Sequence, residues 1–299
     1  MKPLRLGIIG LSPGNGHPYS WSAIFNGFDV EAMAECGFPA IPAYLAKQRF
    51  PRDAIPCARV TSVWTQDKAI SHKIAKAARI ETVASTPEEM IGAIDAVLLA
   101  RDDAENHRHF ADPFIKAGLP IYVDKPFAHS VKAAKAFLAR QSRAGQIFSC
   151  SAVRFAQEML LSSKDLESIG GVTHISARVP NAWKKYAIHV IDPIIANCGP
   201  LHGVENVEVR HFGLDNEATE VAFKWGGGEK TCRIIACGSE PSPISVTYTG
   251  QHGTIETNFA DSFAAFKAAL DVFLKDSVRG RRSHADQILA AINILELGT

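Results

Sequence analysis

The 299-residue chain has almost no charge imbalance: 32 Lys and Arg stand against 31 Asp and Glu, a net charge of +1. No Lys/Arg-rich run offsets that balance, which argues against nucleic acid or an anionic membrane surface as a partner. No apolar run approaches the roughly 20 residues a transmembrane helix needs. A signal-peptide core is missing too, because Gly, Ser, Pro and Asn interrupt the N-terminal segment after Gly10. The six cysteines (36, 57, 150, 198, 232 and 237) form no C-x-x-C pair and have no histidines at zinc spacing. In a chain this long they read as reduced thiols, which points to the cytoplasm. No metal centre is indicated, since His107 and His109 are too few ligands and such a spacing on a helix faces apart. Internal repeats and low-complexity linkers are also absent.

What is present is an α/β pattern. Short β-branched runs, LRLGII, ARVTSVW at 58–64, ETVAS at 81–85, DAVLLA at 95–100, PIYVD at 120–124 and QIFSCSAV at 146–153, alternate with helical stretches. The helical stretches are KAISHKIAKAA, PEEMIGA, 106–117 and VKAAKAFLARQ. That rhythm predicts βαβ units and a parallel, doubly wound sheet over residues 1–150. Residues 29–57 interrupt it with four prolines and a short helical piece, AYLAKQRF, and read as a packed surface excursion or subunit contact. From about 170 the strands run in series: VTHISARV, ENVEVRHF, TEVAFKW, KTCRIIAC, ISVTYTG and GTIETNF, with a hairpin turn at 226–229. Helices SFAAFKAALDVFLK and ADQILAAINILEL follow. Residues 151–299 therefore read as an α+β domain with an open-faced, mainly antiparallel sheet.

The first chemical signal is GIIGLSPGNGHPYS. A strand meeting glycines and then a helix start is the setting of a dinucleotide turn, where free amides and the helix dipole favour phosphate. Gly10, Gly14 and Gly16 would let the backbone approach a phosphate, and Ser12, in place of the middle glycine of G-x-G-x-x-G, would add a hydroxyl. The second strand ends at Trp64, so Thr65 stands where an acid would read the adenosine ribose, and Asp67 reads as a helix cap. Lys125, in DKPF, leaves the carboxyl end of a parallel strand, where a cation polarises a substrate oxygen. His189 is a proton acceptor near neutral pH, or alternatively a hydrogen-bonded core residue. Asp192 would orient it from one turn away, or else cap a helix that begins with Pro193.

With VLLARDDAENH at 97–107, AGLPIYVDKPFA at 117–128, GGVTHI at 170–175 and YAIHVIDPI at 186–194, the chain resembles the Gfo/Idh/MocA (glucose–fructose oxidoreductase and inositol dehydrogenase) family from end to end. The resemblance implies a Rossmann domain, NAD or NADP as cofactor, and hydride transfer at a hydroxyl carbon of a sugar, sugar acid, cyclitol or sugar-nucleotide. It implies cofactor contacts at Gly10, Ser12, Gly14, Gly16, Thr65, Asp67, Ala100, Asp124 and Lys125. Catalysis falls to Lys125 and His189, and substrate contacts to His107, Lys125, Lys185, Tyr186, His189 and Asp192. It further implies a homo-oligomer, dimer or tetramer, with subunit contacts through the second domain's sheet. Three positions depart from the pattern: Ser12, Thr65, and Lys185 where an Asp is expected four residues before His189. A lysine there lowers the pKa of a nearby histidine or binds an anionic substrate group. These departures leave two other functions in view: an NAD-retaining sugar hydrolase or lyase using transient oxidation, and a non-catalytic dinucleotide-binding sensor or partner subunit.

Overall fold

A computed structural model describes residues 2–213 and 217–299. Six strands, β1 (Leu4–Ile9), β2 (Ala58–Trp64), β3 (Thr82–Val83), β4 (Ala96–Leu99), β5 (Ile121–Val123) and β6 (Ile147–Phe148), form one sheet. It is parallel throughout, in the order β3-β2-β1-β4-β5-β6. All four residues of β4 are buried, as a strand covered on both faces requires. The strand order reverses between β1 and β4, so the crevice outside their carboxyl ends is the place for a ligand.

Expected strands shrink towards the sheet edges: ETVAS pairs only through Thr82–Val83, and QIFSCSAV gives way after Phe148 to a 3₁₀ turn over Ala152–Phe155. PEEMIGA likewise forms a single 3₁₀ turn, Pro87–Met90. The 29–57 excursion holds two short helices, Val30–Ala34, capped by Asp29, and Ala40–Leu45, which begins before the expected AYLAKQRF. It packs against the glycine-rich turn: a Cβ on Gly16 would lie 2.5 Å from Ile41 and 2.7 Å from Phe38. Tyr44 also donates its hydroxyl to Ser20.

The second sheet comprises β7 (Val172–Val179), β8 (Glu205–Phe212), β9 (Ala218–Trp225), β10 (Lys230–Ala236), β11 (Ser245–Gly250) and β12 (Thr254–Asn258), in the order β12-β11-β7-β10-β9-β8. Among the described residues, only β7 and β10 of this sheet pair in parallel. The β9–β10 hairpin turns through Gly226, Gly227 and Gly228, all with positive φ, as a tight reversal demands. The helix Ile188–Cys198 packs on β7 and β11, burying Ile191, Ile194 and Ile195. Edge strand β8 is exposed along its length.

The chain divides into two compact units: Met1–Phe127, Ala136–Ser149 and Phe266–Ala285 in the first, and Ala128–Lys135, Cys150–Ala265 and Asp286–Thr299 in the second. One break falls at 149/150, one residue before the expected boundary after 150, and the C-terminal segment 266–285 returns to the first unit. Aromatic packing explains the return: Phe273, fully buried, lies 5.7 Å from Tyr122 and 5.9 Å from Phe148 between ring centroids. All six cysteines are free, and among the described residues no helix is long and apolar enough to cross a membrane.

Candidate active site

In the first unit, the turn after β1 leads directly into the helix His17–Asn26, which starts with no acidic residue in its first turn. Gly10 packs the turn onto the helix, since a Cβ there would come within 2.4 Å of Pro18. Gly14 has φ +79° and open space around it. Among the described residues, the backbone amides of Ser12, Gly14 and Gly16 donate to no protein acceptor. Three unused N–H groups beside an uncapped helix start fit a diphosphate. The turn thus meets the first requirement of a nicotinamide dinucleotide.

Ser12 does not add its hydroxyl to that cradle. It is fully buried, donates to Oδ1 of Asp102 at 2.6 Å and accepts the Asp102 amide at 3.0 Å. The side chain instead pins the turn after β1 to the turn after β4, beside Ala100, whose amide bonds Ile9. A second brace comes from Gln66, whose amide oxygen accepts from Leu11 N–H at 3.2 Å while its NH₂ donates to the Leu11 carbonyl at 2.5 Å. Arg101 holds Gln66 at 3.0 Å, pairs with Asp103 at 2.5 Å and lies 4.5 Å above the Phe110 ring.

Thr65 and Asp67 are likewise committed. The Thr65 hydroxyl donates to the Asp67 carbonyl at 2.6 Å and meets Ser71 at 2.9 Å. The Asp67 carboxylate caps the next helix through Ala69 and Ile70, at 2.7 and 3.4 Å. Asp67 is thus the helix cap the sequence suggests, and the Thr65 hydroxyl serves the same turn.

At the end of β5, Asp124 is fully buried and accepts the Lys125 amide at 2.8 Å and the Asn15 side-chain amide at 2.8 Å, with His17 Nδ1 at 2.6 Å. Burial pushes its carboxyl up, but the neighbouring His17 and Lys125 charges and the bonds from His17 and Asn15 outweigh burial and hold it below the usual carboxylate range. Asp124 therefore locks the DKP turn to the glycine-rich turn. The Lys125 ammonium, 7 % exposed, lies 3.9 Å from Asp102, and the Lys125–Pro126 peptide is cis. His107, expected against substrate, is fully buried, with its ring nitrogens at 2.6 Å from the Arg101 carbonyl and 3.3 Å from the Phe127 carbonyl. It braces two turns of the first unit.

In the second unit, Lys185 and Tyr186 lie on the one-turn helix Trp183–Tyr186, and His189 stands in the first turn of Ile188–Cys198. The Tyr186 ring meets the His189 ring edge-on at 5.3 Å. His189 Nδ1 is 2.8 Å from the Ser151 hydroxyl. Asp192 does not orient His189, and it caps no helix. It sits inside Ile188–Cys198 with Pro193 following in mid-helix, fully buried, bonded to Arg154 at 2.5 Å and to the Ser151 amide at 2.5 Å. Burial pushes the Asp192 carboxyl up, against the opposing charge of Arg154.

Asn15, His17, Asp102 and Gln66 in the first unit, and Ser151 and Arg154 in the second, were not among the residues the sequence marked. Their polar side chains flank glycines or strand ends, a signal visible only once those ends are known.

Residues 4–151 match the family described as GFO_IDH_MocA, an oxidoreductase family with an NAD-binding Rossmann fold. Comparison with curated proteins gives no match. Among solved structures, the scyllo-inositol dehydrogenase of Lactobacillus casei with bound NAD(H) and scyllo-inositol is similar, with TM-score 0.70 and 14% identity over 99% of this chain and 96% of that one. So is the myo-inositol 2-dehydrogenase of Lactobacillus plantarum, with TM-score 0.69 and 14% identity over 99% and 96%. An oxidoreductase from Agrobacterium radiobacter, in complex with NAD+, L-tartaric acid and magnesium, gives TM-score 0.72 and 12% identity over 99% and 95%. Those identities carry the fold and no more, while the matched N-terminal residues carry the cofactor turn. The chain belongs to the Gfo/Idh/MocA oxidoreductase family and holds that family's NAD-binding Rossmann fold in residues 4–151.

Proposed function

We propose that the protein is an NAD(P)-dependent dehydrogenase or reductase acting on a hydroxyl or keto carbon of a small polyhydroxylated substrate, of the sugar, sugar-acid, cyclitol or sugar-nucleotide class. The observation that carries this reading is Lys125: a lysine almost wholly buried at the carboxyl end of β5, held by Asp124 and Asp102 next to a turn with three unused amides. A solvated strand-end lysine would not have its ammonium buried beside a carboxylate and its own amide held by another.

A nicotinamide dinucleotide, with its diphosphate held at the turn, would supply or accept the hydride. Lys125 holds the reacting oxygen and stabilises its developing negative charge, an effect strengthened by exclusion of water. Asp102, 3.9 Å away, limits the wandering of the ammonium. His189 handles the hydroxyl proton. The amides of Ser12, Gly14 and Gly16 take the diphosphate, and no acid at the end of β2 imposes NAD over NADP. The likeness to enzymes solved with scyllo-inositol and with tartaric acid supports a substrate carrying several hydroxyls. Self-association, as dimer or tetramer, falls to the second sheet, where Val207, Val209 and Phe212 stand exposed on β8; sedimentation velocity tests it.

The deciding experiment is calorimetric titration of cofactor-free protein with NAD, NADH, NADP and NADPH, followed by a polyol and keto-sugar screen with the pair that binds. Binding together with net change in reduced cofactor supports the dehydrogenase. Binding without net change favours a mechanism that recycles the cofactor, and no binding in folded protein overturns the proposal.

A further inference from the structure

We propose that Ser151 is the positioning residue of His189: its hydroxyl donates to Nδ1 and holds the neutral ring with its hydrogen on Nε2. The inference rests on the role given to His189 above and adds to it the tautomer in which that ring is held.

Ser151 is fully buried, so it is neither a nucleophile nor a substrate contact. Its place is set from two sides. Its amide donates to Oδ2 of Asp192 at 2.5 Å, and Asp192 is itself held by Arg154 at 2.5 Å. Its hydroxyl oxygen accepts the Val153 amide at 3.3 Å, capping the 3₁₀ turn Ala152–Phe155. The remaining contact of the hydroxyl is Nδ1 of His189, at 2.8 Å.

A hydroxyl has one hydrogen to give. Among the described residues, Nδ1 of His189 is the acceptor within reach of that hydrogen, and burial removes bulk water as an alternative. Donation therefore runs from Ser151 to Nδ1. A neutral imidazole with its lone pair engaged at Nδ1 carries its proton on Nε2.

A carboxylate partner would act in the opposite sense. It only accepts, so it would hold the hydrogen on Nδ1 and leave a lone pair at Nε2. In this chain the carboxylate three residues on, Asp192, is bonded to Arg154 and the Ser151 amide, and the residue four before His189 is Lys185. The neutral ring is thus held with its hydrogen on Nε2, the reverse of the state a carboxylate partner would select. Working as a base requires the Ser151 hydroxyl to turn and surrender its buried acceptor.

The test is long-range ¹H–¹⁵N correlation on the full-length protein with ¹⁵N-labelled histidine, at a pH where the rings are neutral, with the His189 signal assigned by its loss in His189→Gln. The expected pattern is protonated Nε2 and unprotonated Nδ1. In Ser151→Ala the ring should drift towards a mixture of tautomers, with kcat for ketone reduction falling roughly tenfold to a hundredfold and KM for the cofactor unchanged. Ser151→Thr, which keeps the hydroxyl, should restore both. An Nδ1–H pattern in the wild-type protein overturns the proposal, without recourse to any variant. So does a Ser151→Ala protein with wild-type tautomer and kcat where His189→Ala is inactive. Full activity in His189→Ala would instead remove the catalytic role of His189, while the NMR pattern still decides whether Ser151 orients it.

Discussion

His17 Nδ1 lies 2.6 Å from Oδ2 of the fully buried Asp124. Together with Asn15 and the Lys125 amide, this contact clamps the glycine-rich turn to the strand end that carries the proposed catalytic lysine. Asp124 has a folded-state pKa held below its unfolded value, so it contributes stability above the unfolded pKa, near 4. That contribution is lost as pH falls through the folded value. Asp124→Asn should cost about 1–3 kcal/mol at pH 7, from leaving buried donors poorly met. It should also flatten the decline of stability below pH 4. Urea midpoints measured from pH 7 to pH 3 check both effects, and parallel pH curves for the two proteins would refute the clamp.

Lys125→Met keeps the bulk of the stem and removes the charge. Turnover should fall at least a hundredfold, in line with the loss of one preorganised stabiliser of an oxyanion. Cofactor affinity and near-UV circular dichroism should stay close to wild type. Turnover within a few-fold of wild type would remove Lys125 from the chemistry.

Two glycines of one turn should fail in different ways. Gly14 sits at φ +79° with open space around it, so Gly14→Ala costs about 1–2 kcal/mol of backbone strain and sets a methyl at the mouth of the cradle. Its main effect should be weaker dinucleotide binding. Gly16 is walled in by Ile41 and Phe38 at 2.5 and 2.7 Å, so Gly16→Ala forces the 29–57 excursion off the turn. Its main effect should be a lower melting temperature, reflecting an overpacking cost of about 1–3 kcal/mol. Calorimetry against thermal melts separates the two; equal losses of binding and stability in both variants would contradict the assignment.

These contrasts mark where local pattern sufficed and where it did not. Strands β1, β2, β7 and β8 were legible to the residue because β-branched runs between turn residues need no distant partner to be recognised. The cofactor turn and the position of Lys125 were legible for the same reason. What escaped was pairing across the chain. Ser12 read as a phosphate donor because nothing local reveals Asp102, 90 residues away. Asp192-Pro193 carried a strong helix-start signal, which tertiary burial against Arg154 overrode. His107 looked functional by position, yet two backbone carbonyls claim it. Ser151 carried no signal at all, being one serine after a two-residue strand.

The same lesson bears on where the cofactor-binding part of the chain ends. A sequence boundary at 150 suggests that residues 1–150 would fold alone, but the first unit also contains Phe266–Ala285. Phe273 has no exposed surface and packs against Tyr122 and Phe148, while His284 meets Phe148 edge-on at 4.9 Å and bonds Asp276 at 2.9 Å. Removing that segment uncovers the aromatic layer on β5 and β6 all at once. A 1–150 fragment should therefore lose its cooperative melt and bind a hydrophobic dye. In the full chain, Phe273→Ala alone should cost about 3–5 kcal/mol, the range for a large buried aromatic. A 1–150 fragment that melts cooperatively and binds dinucleotide as the whole chain does would show that the C-terminal segment only decorates the first unit.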